Sequence, residues 1–332
     1  MTLEHVSLSV ACGNSDRTRA IRDGRVPIEG CGVNYITLEP EEVFFRAFRN
    51  GEFDVTELSI SSYILSLSKG ECPYVAIPAF VSRSFRHSGF YIRTDRGIAR
   101  PEDLRGKRIG VPEYQMTAIV WMRGILKEEY GVDPLEIEWY SGGQEEPGRD
   151  ERTPLTLTNG VKINRIAPGK TLSRMLADGE IDAIMSARAP SAFTESAPNV
   201  GRLFPDYKER EKDYFRRTGM FPIMHMIGIR RDMHEKYPWL AGSVYKAFTQ
   251  AKDIALAEVR QMHVPIASLP WMEAEALETV ALMGSNYWRY GVEENLKEIE
   301  AMTRYSFEQG LAVRKLAAEE LFAPSTLEIS RI

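Results

Sequence analysis

Residues 84–95, "SFRHSGFYIRTD", decide how the chain is divided, because a partial counterpart, "PIMHMIGIRRD", lies at 222–232. Each segment has a histidine near its start, an apolar run typical of a strand, and the ending Ile-Arg-x-Asp. The chain has 332 residues, about twice the length of a typical domain, so two lobes are expected. We therefore interpret the two segments as the places where the chain crosses between lobes.

The alternation of strands and helices on both sides of residue 95 supports this division. From "VSLSVA" (6–11) onward the pattern is β-α-β-α-β-α, which is typical of a parallel sheet. A second series follows, with "KRIGVP" as a strand and "MTAIVWMRGILKEEYG" as a helix. We predict an α/β fold with a discontinuous first lobe (1–95 and 228–332) and an inserted second lobe (96–227). Each lobe is expected to hold a mixed, mostly parallel sheet flanked by helices, with the ligand in the cleft between them.

Composition excludes several classes of protein. Hydrophobic content of 43%, charged content of 27% and a net charge of -5 are typical of a globular protein and argue against a nucleic-acid partner. No window approaches ~18 uninterrupted apolar residues, so no membrane span is expected. The start, "MTLEHVSLSV", lacks the basic and apolar regions of a signal peptide, which predicts a cytoplasmic protein. Self-association stays open.

Cofactor signals are also weak. The three cysteines, Cys12, Cys31 and Cys72, form no CxxC pair and are interpreted as thiols. The histidines form no HxH or HExxH motif, so we expect no metal, with a divalent ion held by distant residues as the less favoured alternative. No P-loop or GxGxxG pattern supports a nucleotide.

Several blocks along the chain resemble one enzyme family. They are "GRVPIEGCGVNY", "NGEFDVTELSISSYI", "FRHSGFYIR", "LRGKRIGVPEYQMTAIVWMRGIL", "GGQEEPGR", "LADGEIDAIMSARAP" and "FPIMHMIGIRRD". Together they look like the 4,5-dihydroxyphthalate decarboxylase family, which is similar in fold to type II periplasmic solute-binding proteins. The blocks span nearly the whole chain, although "DLRGKRIGV" and "LADGEIDA" recur among solute-binding proteins and mark only the fold.

The resemblance implies non-oxidative loss of CO2 from a hydroxylated aromatic acid. In the name-giving reaction, 4,5-dihydroxyphthalate becomes protocatechuate without a cofactor, and the partner is a small aromatic carboxylate. Because a fold does not determine a function, a non-catalytic binding protein for an aromatic or other small organic anion is kept as the alternative.

Ring protonation calls for a proton donor, and histidine suits that transfer near neutral pH. His87 and His225, each close to a proposed crossing, are the candidates. When Ile92 is aligned on Ile229 the two histidines are one residue out of register, so unequal roles are expected. Glu113 is the candidate base or orienting group for the phenol. A structural histidine and a helix first-turn charge are the alternatives.

Carboxylate substrates call for cationic donors, and the arginine fork matches carboxylate oxygens. Loops that follow strands or begin helices supply the other candidates. The residues expected to bind substrate are Asn14, Arg17, Arg19, Glu57, Ser59, Arg86, Tyr114, Gln115, Thr117 and Arg188. Solvated arginines and helix caps are the alternatives for them. Residues 141–160, which include "GGQEEPGR", are interpreted as a loop at the rim of the cleft.

Overall fold

A computed structural model describes residues 5–151, 155–261, 263 and 266–328, so three residues of the predicted rim loop lie outside the described residues. The strands are β1 Val6–Cys12, β2 Cys31–Thr37, β3 Val55–Ser59, β4 Tyr74–Arg83, β5 Phe90–Arg93, β6 Arg108–Val111, β7 Glu138–Ser141, β8 Ile163–Arg165, β9 Ala183–Met185, β10 Val200–Arg202 and β11 Ile223–Arg230. The helices are α1 Asp16–Arg22, α2 Pro40–Asn50, α3 Ile60–Ser68, α4 Thr117–Tyr130, α5 Leu172–Asp178, α6 Ser191–Thr194, α7 Tyr207–Thr218, α8 Arg231–Lys236, α9 Leu240–Val259, α10 Met272–Met283 and α11 Leu296–Glu308.

The strands form two mixed sheets. The first has the order β2-β1-β3-β11-β4 and the second β10-β5-β9-β6-β7-β8. In the first sheet β1 runs parallel to β2 and β3, while β11 runs antiparallel to β3 and β4. In the second sheet β6 runs parallel to β7 and β9, and β7 runs parallel to β8. Strand β5 runs antiparallel to β9 and to β10. The predicted α/β fold class is confirmed.

Strand pairing moves both crossings toward the amino terminus. Strand β5 (Phe90–Arg93) pairs with β9 and β10, so it belongs to the second sheet rather than to the first lobe that was predicted to end at residue 95. Strand β11 lies wholly in the first sheet, so the predicted boundary at 227/228 falls inside a strand. The hydrophobic pattern identified both strands but could not indicate their partners, because sheet membership depends on hydrogen bonds between distant segments.

Helix α4 joins the two sheets. Ten of its residues are buried, as expected for a helix that is apolar on most sides. The indole Nε1 of Trp121 donates to the carbonyl oxygen of Ile223 in β11 at 2.9 Å. A Cβ at Gly124 would lie 2.3 Å from the ring of Tyr305, so only glycine allows this approach to α11. Helix α4 therefore begins, at Thr117, beside the first sheet.

Within the described part of the chain, no helix combines the length and the apolar character that crossing a bilayer requires.

Candidate active site

A glutamate and a histidine meet at the carboxyl edge of the first sheet. The backbone N–H of Gly13, directly after β1, donates to Glu57 Oε2 at 2.7 Å. The other oxygen, Oε1, lies 2.6 Å from His225 Nδ1. His225 stands near the start of β11, opposite Ser59 at the end of β3. The antiparallel entry of β11 thus brings a histidine to the edge where the parallel strands end.

Glu57 is ionised in this arrangement. Its burial alone would raise the pKa, but the hydrogen bond and charge of His225, the Gly13 N–H and the charge of Arg17 outweigh burial and lower the pKa of Glu57. An ionised carboxylate can only accept, so the hydrogen between the two groups is on Nδ1. The His225 side chain is 20% exposed. Its Nε2 is therefore the ring nitrogen that remains for a ligand.

Two helix starts meet beside this pair. Ser59 is the N-cap of α3, and its hydroxyl accepts from the N–H of Ser62 at 3.4 Å. The same hydroxyl lies 2.9 Å from the hydroxyl of Thr117 at the start of α4. Thr117 also accepts from the N–H of Ser61 at 3.3 Å. Ser59 and Thr117, both predicted to bind substrate, thus join the two sheets at the floor of the cleft.

A cavity of about 500 Å³ lies along the cleft. Its walls include Glu41, Met116, Arg149 and Arg188, with residues 143–148 and 186–187 at the rim. His225 is not among these lining residues, but its ring meets the Phe44 ring edge-on at 4.7 Å. Glu41 and Phe44 are three residues apart in α2 and so lie on one face of the helix. Helix α2 is therefore a wall that the cavity shares with His225.

The rim loop carries an arginine into this cavity. Arg149 donates from Nε to Glu113 Oε1 at 2.9 Å and from Nη1 to Glu41 Oε2 at 2.9 Å. The loop can fold back because a Cβ on Gly143 would lie 1.6 Å from the carbonyl oxygen of Glu146, a space that only glycine leaves free. Glu113, predicted as a base, is 2% exposed and paired with Arg149. This pairing suits an orienting role.

His87 has different surroundings from His225. It is buried between the rings of Phe204 and Tyr214, at centroid distances of 5.4 and 5.6 Å. Burial, with smaller contributions from Arg217 and Arg210, lowers the pKa of His87 to about 4. Among the described residues its Nδ1 has no hydrogen-bond partner. Enclosure by aromatic rings and a lowered pKa do not favour His87 as the proton donor, and that role stays a prediction.

Two further predicted residues, Tyr114 and Gln115, are buried, and a third, Arg86, is partly buried. Tyr114 is fully buried, with the guanidinium of Arg123 stacked 3.5 Å from the centre of its ring, and Gln115 is buried beside it. Arg86 donates from Nε to the sulfur of Met224 at 3.3 Å, and burial lowers the pKa of Arg86 to about 10. These surroundings do not favour contacts with a ligand, and substrate binding by Tyr114, Gln115 and Arg86 stays a prediction.

Of the three predicted residues in and after the loop that follows β1, Arg17 lies near Glu57. Arg17 stacks on the Trp288 ring at 3.9 Å, and its charge is close enough to lower the pKa of Glu57. Asn14 is exposed, and Arg19 lies in α1, the helix that packs on α9. Substrate binding by Arg17, Asn14 and Arg19 stays a prediction.

Three residues of the site were missed from the sequence. Arg149 belongs to a block that was interpreted only as a rim loop, and Glu41 and Phe44 belong to an ordinary amphipathic helix. The available signals were a glycine-rich loop that closes on an arginine and the i,i+3 spacing in α2. Among the described residues, no group of three His, Cys, Asp or Glu side chains is arranged to hold a metal ion.

Comparison with solved structures identifies the fold. No family model matches the chain. Among solved structures, it is similar to the periplasmic aliphatic sulphonate binding protein of Escherichia coli, at TM-score 0.53 and 11% identity over 97% of this chain and 99% of that one. A periplasmic sulfonate-binding protein from Methylobacillus flagellatus gives TM-score 0.52 and 14% identity, over 99% and 95% of the two chains. At these identities the likeness shows the fold, that of periplasmic binding proteins.

Two proteins found by sequence are far more similar to this chain than the solved structures are. The 4,5-dihydroxyphthalate decarboxylase of Comamonas testosteroni is 44% identical over 330 residues, which are 99% of this chain and the full length of the relative. The 4,5-dihydroxyphthalate decarboxylase of Pseudomonas putida is 46% identical over 214 residues, 64% of this chain and 83% of that relative. The resemblance predicted from the sequence blocks is confirmed, and the chain belongs to the 4,5-dihydroxyphthalate decarboxylase family.

Proposed function

We propose that this chain is a carboxy-lyase that converts 4,5-dihydroxyphthalate into protocatechuate and CO2, with His225 as the proton donor to the ring. The observation that carries the assignment of His225 is its 2.6 Å hydrogen bond to the buried carboxylate of Glu57. Identity of 44% to the relative from Comamonas testosteroni supports the reaction and the substrate.

The chemistry needs one proton and no change of oxidation state. Nε2–H of protonated His225 gives its proton to the ring carbon that carries the departing carboxylate, which forms a C–H bond. The hydroxyl para to that carbon supplies electron density to the ring. The bond between ring and carboxylate then breaks, its electron pair returns to the ring, and CO2 leaves. His225 recovers a proton from water, so the sum is substrate plus one proton giving product plus CO2.

Glu57 prepares the histidine for this step. Its negative charge faces Nδ1–H and compensates the positive charge of the protonated ring, as an acidic partner does for a catalytic histidine. The Gly13 N–H holds the second carboxylate oxygen and prevents rotation of the carboxylate. The imidazole is therefore kept in one tautomer with Nε2 free for the substrate. No cofactor takes part in the proposed reaction.

The cavity walls suit an aromatic acid. Pro112 and Met116 provide apolar surface for a ring, and Arg149 and Arg188 provide positive charge for carboxylates. A volume of about 500 Å³ falls within the range of small-molecule sites. The substrate is the one partner that we propose, and neither nucleic acid nor membrane is part of the proposal.

We place the reaction in the cytoplasm. Support comes from Cys12, Cys31 and Cys72, which are buried free thiols, since unpaired cysteines are typical of reducing compartments. Fractionation of cells that produce the protein, with a disulfide-containing periplasmic marker as the reference, tests this location. Recovery with the periplasmic marker would overturn it.

Mixing the purified protein with 4,5-dihydroxyphthalate tests the function. We expect equal amounts of CO2 and protocatechuate, measured by gas analysis and chromatography, and the same yield with or without a chelator. Binding of 4,5-dihydroxyphthalate without product, across a panel of hydroxylated benzoates, would instead favour a solute-binding protein for an aromatic anion.

A further inference from the structure

The carboxylate of Glu41 lies between two guanidinium groups. Arg149 Nη1 is 2.9 Å from Glu41 Oε2, and Arg188 Nη2 is 3.9 Å from Glu41 Oε1. The glutamate comes from α2, which packs on the first sheet, whereas both arginines follow strands of the second sheet. All three side chains line the cavity of about 500 Å³. Glu39 Oε2 also lies 3.4 Å from Arg188 Nη2, and Glu41 is the carboxylate that is near both arginines.

Arg149 is held in place independently of Glu41. Its Nε and Nη2 both donate to Glu113 Oε1, and the Glu113 side chain is 2% exposed. Nη1 is the guanidinium nitrogen that donates to Glu41. Because the guanidinium is planar and rigid, this anchoring leaves one edge in a fixed position for an incoming oxygen.

We infer that Arg149 and Arg188 form a carboxylate subsite, and that Glu41 occupies this subsite until a substrate carboxylate replaces it. The inference rests on the proposed function and names the ligand group, a carboxylate of an aromatic ortho-dicarboxylate. The substrate then exchanges one carboxylate for another at the same cations. No buried charge is left unpaired in either state, which keeps the cost of exchange small.

The exposure of the three groups favours such an exchange. The side chains of Glu41, Arg149 and Arg188 are 37%, 29% and 65% exposed, and ion pairs that water reaches add little stability. Glu41 also lies in the first turn of α2, where the helix N-terminus favours a negative charge without the arginines. The released glutamate therefore keeps a favourable position.

The other arginines that were predicted to bind substrate have partners that leave them less able to bind a carboxylate. Arg17 is paired with Asp16, donates to a backbone carbonyl and stacks on Trp288. Arg86 has the sulfur of Met224 as its partner. Arg149 and Arg188 are the two arginines that line the cavity within the described residues.

Substitutions at the two sides of the pair should act in opposite directions. Glu41→Gln removes the competing anion, so a dicarboxylate should bind about twofold to fivefold more tightly, the fold-change of a lost exposed ion pair. Arg149→Gln removes a charge-assisted bond to the ligand and should weaken binding at least ~10-fold. Arg149→Lys, which keeps Glu113 paired, should give an intermediate loss, because a lysine lacks the fork.

Calorimetry of the full chain with phthalate tests the subsite. Phthalate has both carboxylates but no para hydroxyl to support decarboxylation, so binding is measured without turnover. Glu42→Gln is the matched control, because Glu42 lies in the same turn of α2, is exposed and does not line the cavity. We expect tighter binding in Glu41→Gln, weaker binding in both Arg149 variants and no change in Glu42→Gln, with equal thermal stability of Glu41→Gln and Glu42→Gln.

Unchanged or weaker phthalate binding in Glu41→Gln would overturn the inference, even if an Arg149 variant folds poorly. The result is separable from the proposed function. If phthalate binding follows the expected order but 4,5-dihydroxyphthalate yields no CO2, the subsite stands and the decarboxylase assignment fails. If CO2 forms but Glu41→Gln binds phthalate no more tightly than Glu42→Gln, the decarboxylase assignment stands and the subsite fails.

Discussion

The two histidine segments, 84–95 and 222–232, look alike in sequence and differ in every physical respect that matters for proton transfer. His225 begins a strand of the first sheet, has Glu57 at 2.6 Å and is 20% exposed. His87 precedes a strand of the second sheet, has aromatic neighbours and is 1% exposed. A carboxylate partner and greater exposure distinguish the proposed catalytic histidine from the enclosed one.

The difference lies in what each segment packs against. β11 enters between β3 and β4, so His225 reaches the edge where the parallel strands end and where Glu57 is held by the Gly13 N–H. The turn at His87–Gly89 is instead covered by α7, which contributes Tyr214. Burial there lowers the pKa of His87 to about 4, so its ring is neutral at the pH where His225 is proposed to act. Similar local sequence thus acquires opposite chemistry from distant residues.

Replacement of each histidine by asparagine gives the largest expected contrast. His225→Asn removes the proposed general acid and should lower kcat between ~100-fold and ~10,000-fold, the range typical of such a loss. His87→Asn should leave kcat unchanged in the fraction that is folded. Both values come from protocatechuate formation, normalised to folded protein by circular dichroism. A comparable loss of kcat in both variants would break the distinction between them.

Replacement of Glu57, the carboxylate partner of His225, has the next largest expected effect. Glu57→Gln keeps the shape of the side chain but removes the charge that supports the protonated ring, and we expect kcat to fall about 100-fold, the lower end of the range for acid–base groups. Phthalate affinity should not change, so the loss should appear in kcat and not in binding. A purely structural Glu57 would lower stability and leave kcat of the folded fraction in place.

The pH dependence of stability tests whether His87 is a buried, neutral ring. The unfolded histidine takes up a proton below its ordinary pKa of 6.5, whereas the folded ring resists protonation down to about 4. The stability that this difference contributes is present above 6.5 and is lost as the pH falls toward 4, at up to about 1.4 kcal/mol per pH unit. His87→Leu cannot take up that proton, so its free energy of unfolding should fall less between about pH 7 and about pH 5.

Urea unfolding at the two pH values gives that comparison, and the difference between variant and parent removes the contributions of other groups. Glu151 and Glu211 matter here, since burial raises the pKa of each to about 7. Equal slopes for His87→Leu and the parent protein would show that His87 is not a buried neutral ring.

Much of the fold was predictable because its signals are local. Strand and helix periodicity identified the β-α series, and the family blocks indicated a two-lobed α/β architecture. The crossings were misplaced because β5 and β11 take their sheet from hydrogen bonds to strands far away in sequence, as in the pairing of β5 with β9. A pattern of apolar residues carries no information about such partners.

The site was only partly predictable for the same reason. Glu57 and His225 were both candidates from their positions near strand ends, but they are 168 residues apart, and only the folded chain shows the contact. Arg149 and Glu41 are 108 residues apart in a loop and a helix that look ordinary separately. His87 was a candidate because it stands close to a proposed crossing, and the sequence does not show that α7 encloses it.

Ring hydrogen exchange in protocatechuate tests the central claim, that His225 protonates the ring, most directly. In D2O the enzyme should catalyse exchange of the hydrogen that is ortho to the carboxylate and para to a hydroxyl. Deuterated His225 gives a deuteron to that ring carbon, and the neutral imidazole then takes the original hydrogen from the same carbon, a cycle that needs no CO2. Proton NMR should show this exchange in the parent protein and in His87→Asn, and its loss in His225→Asn. Exchange that persists at the parent rate in His225→Asn would contradict the account.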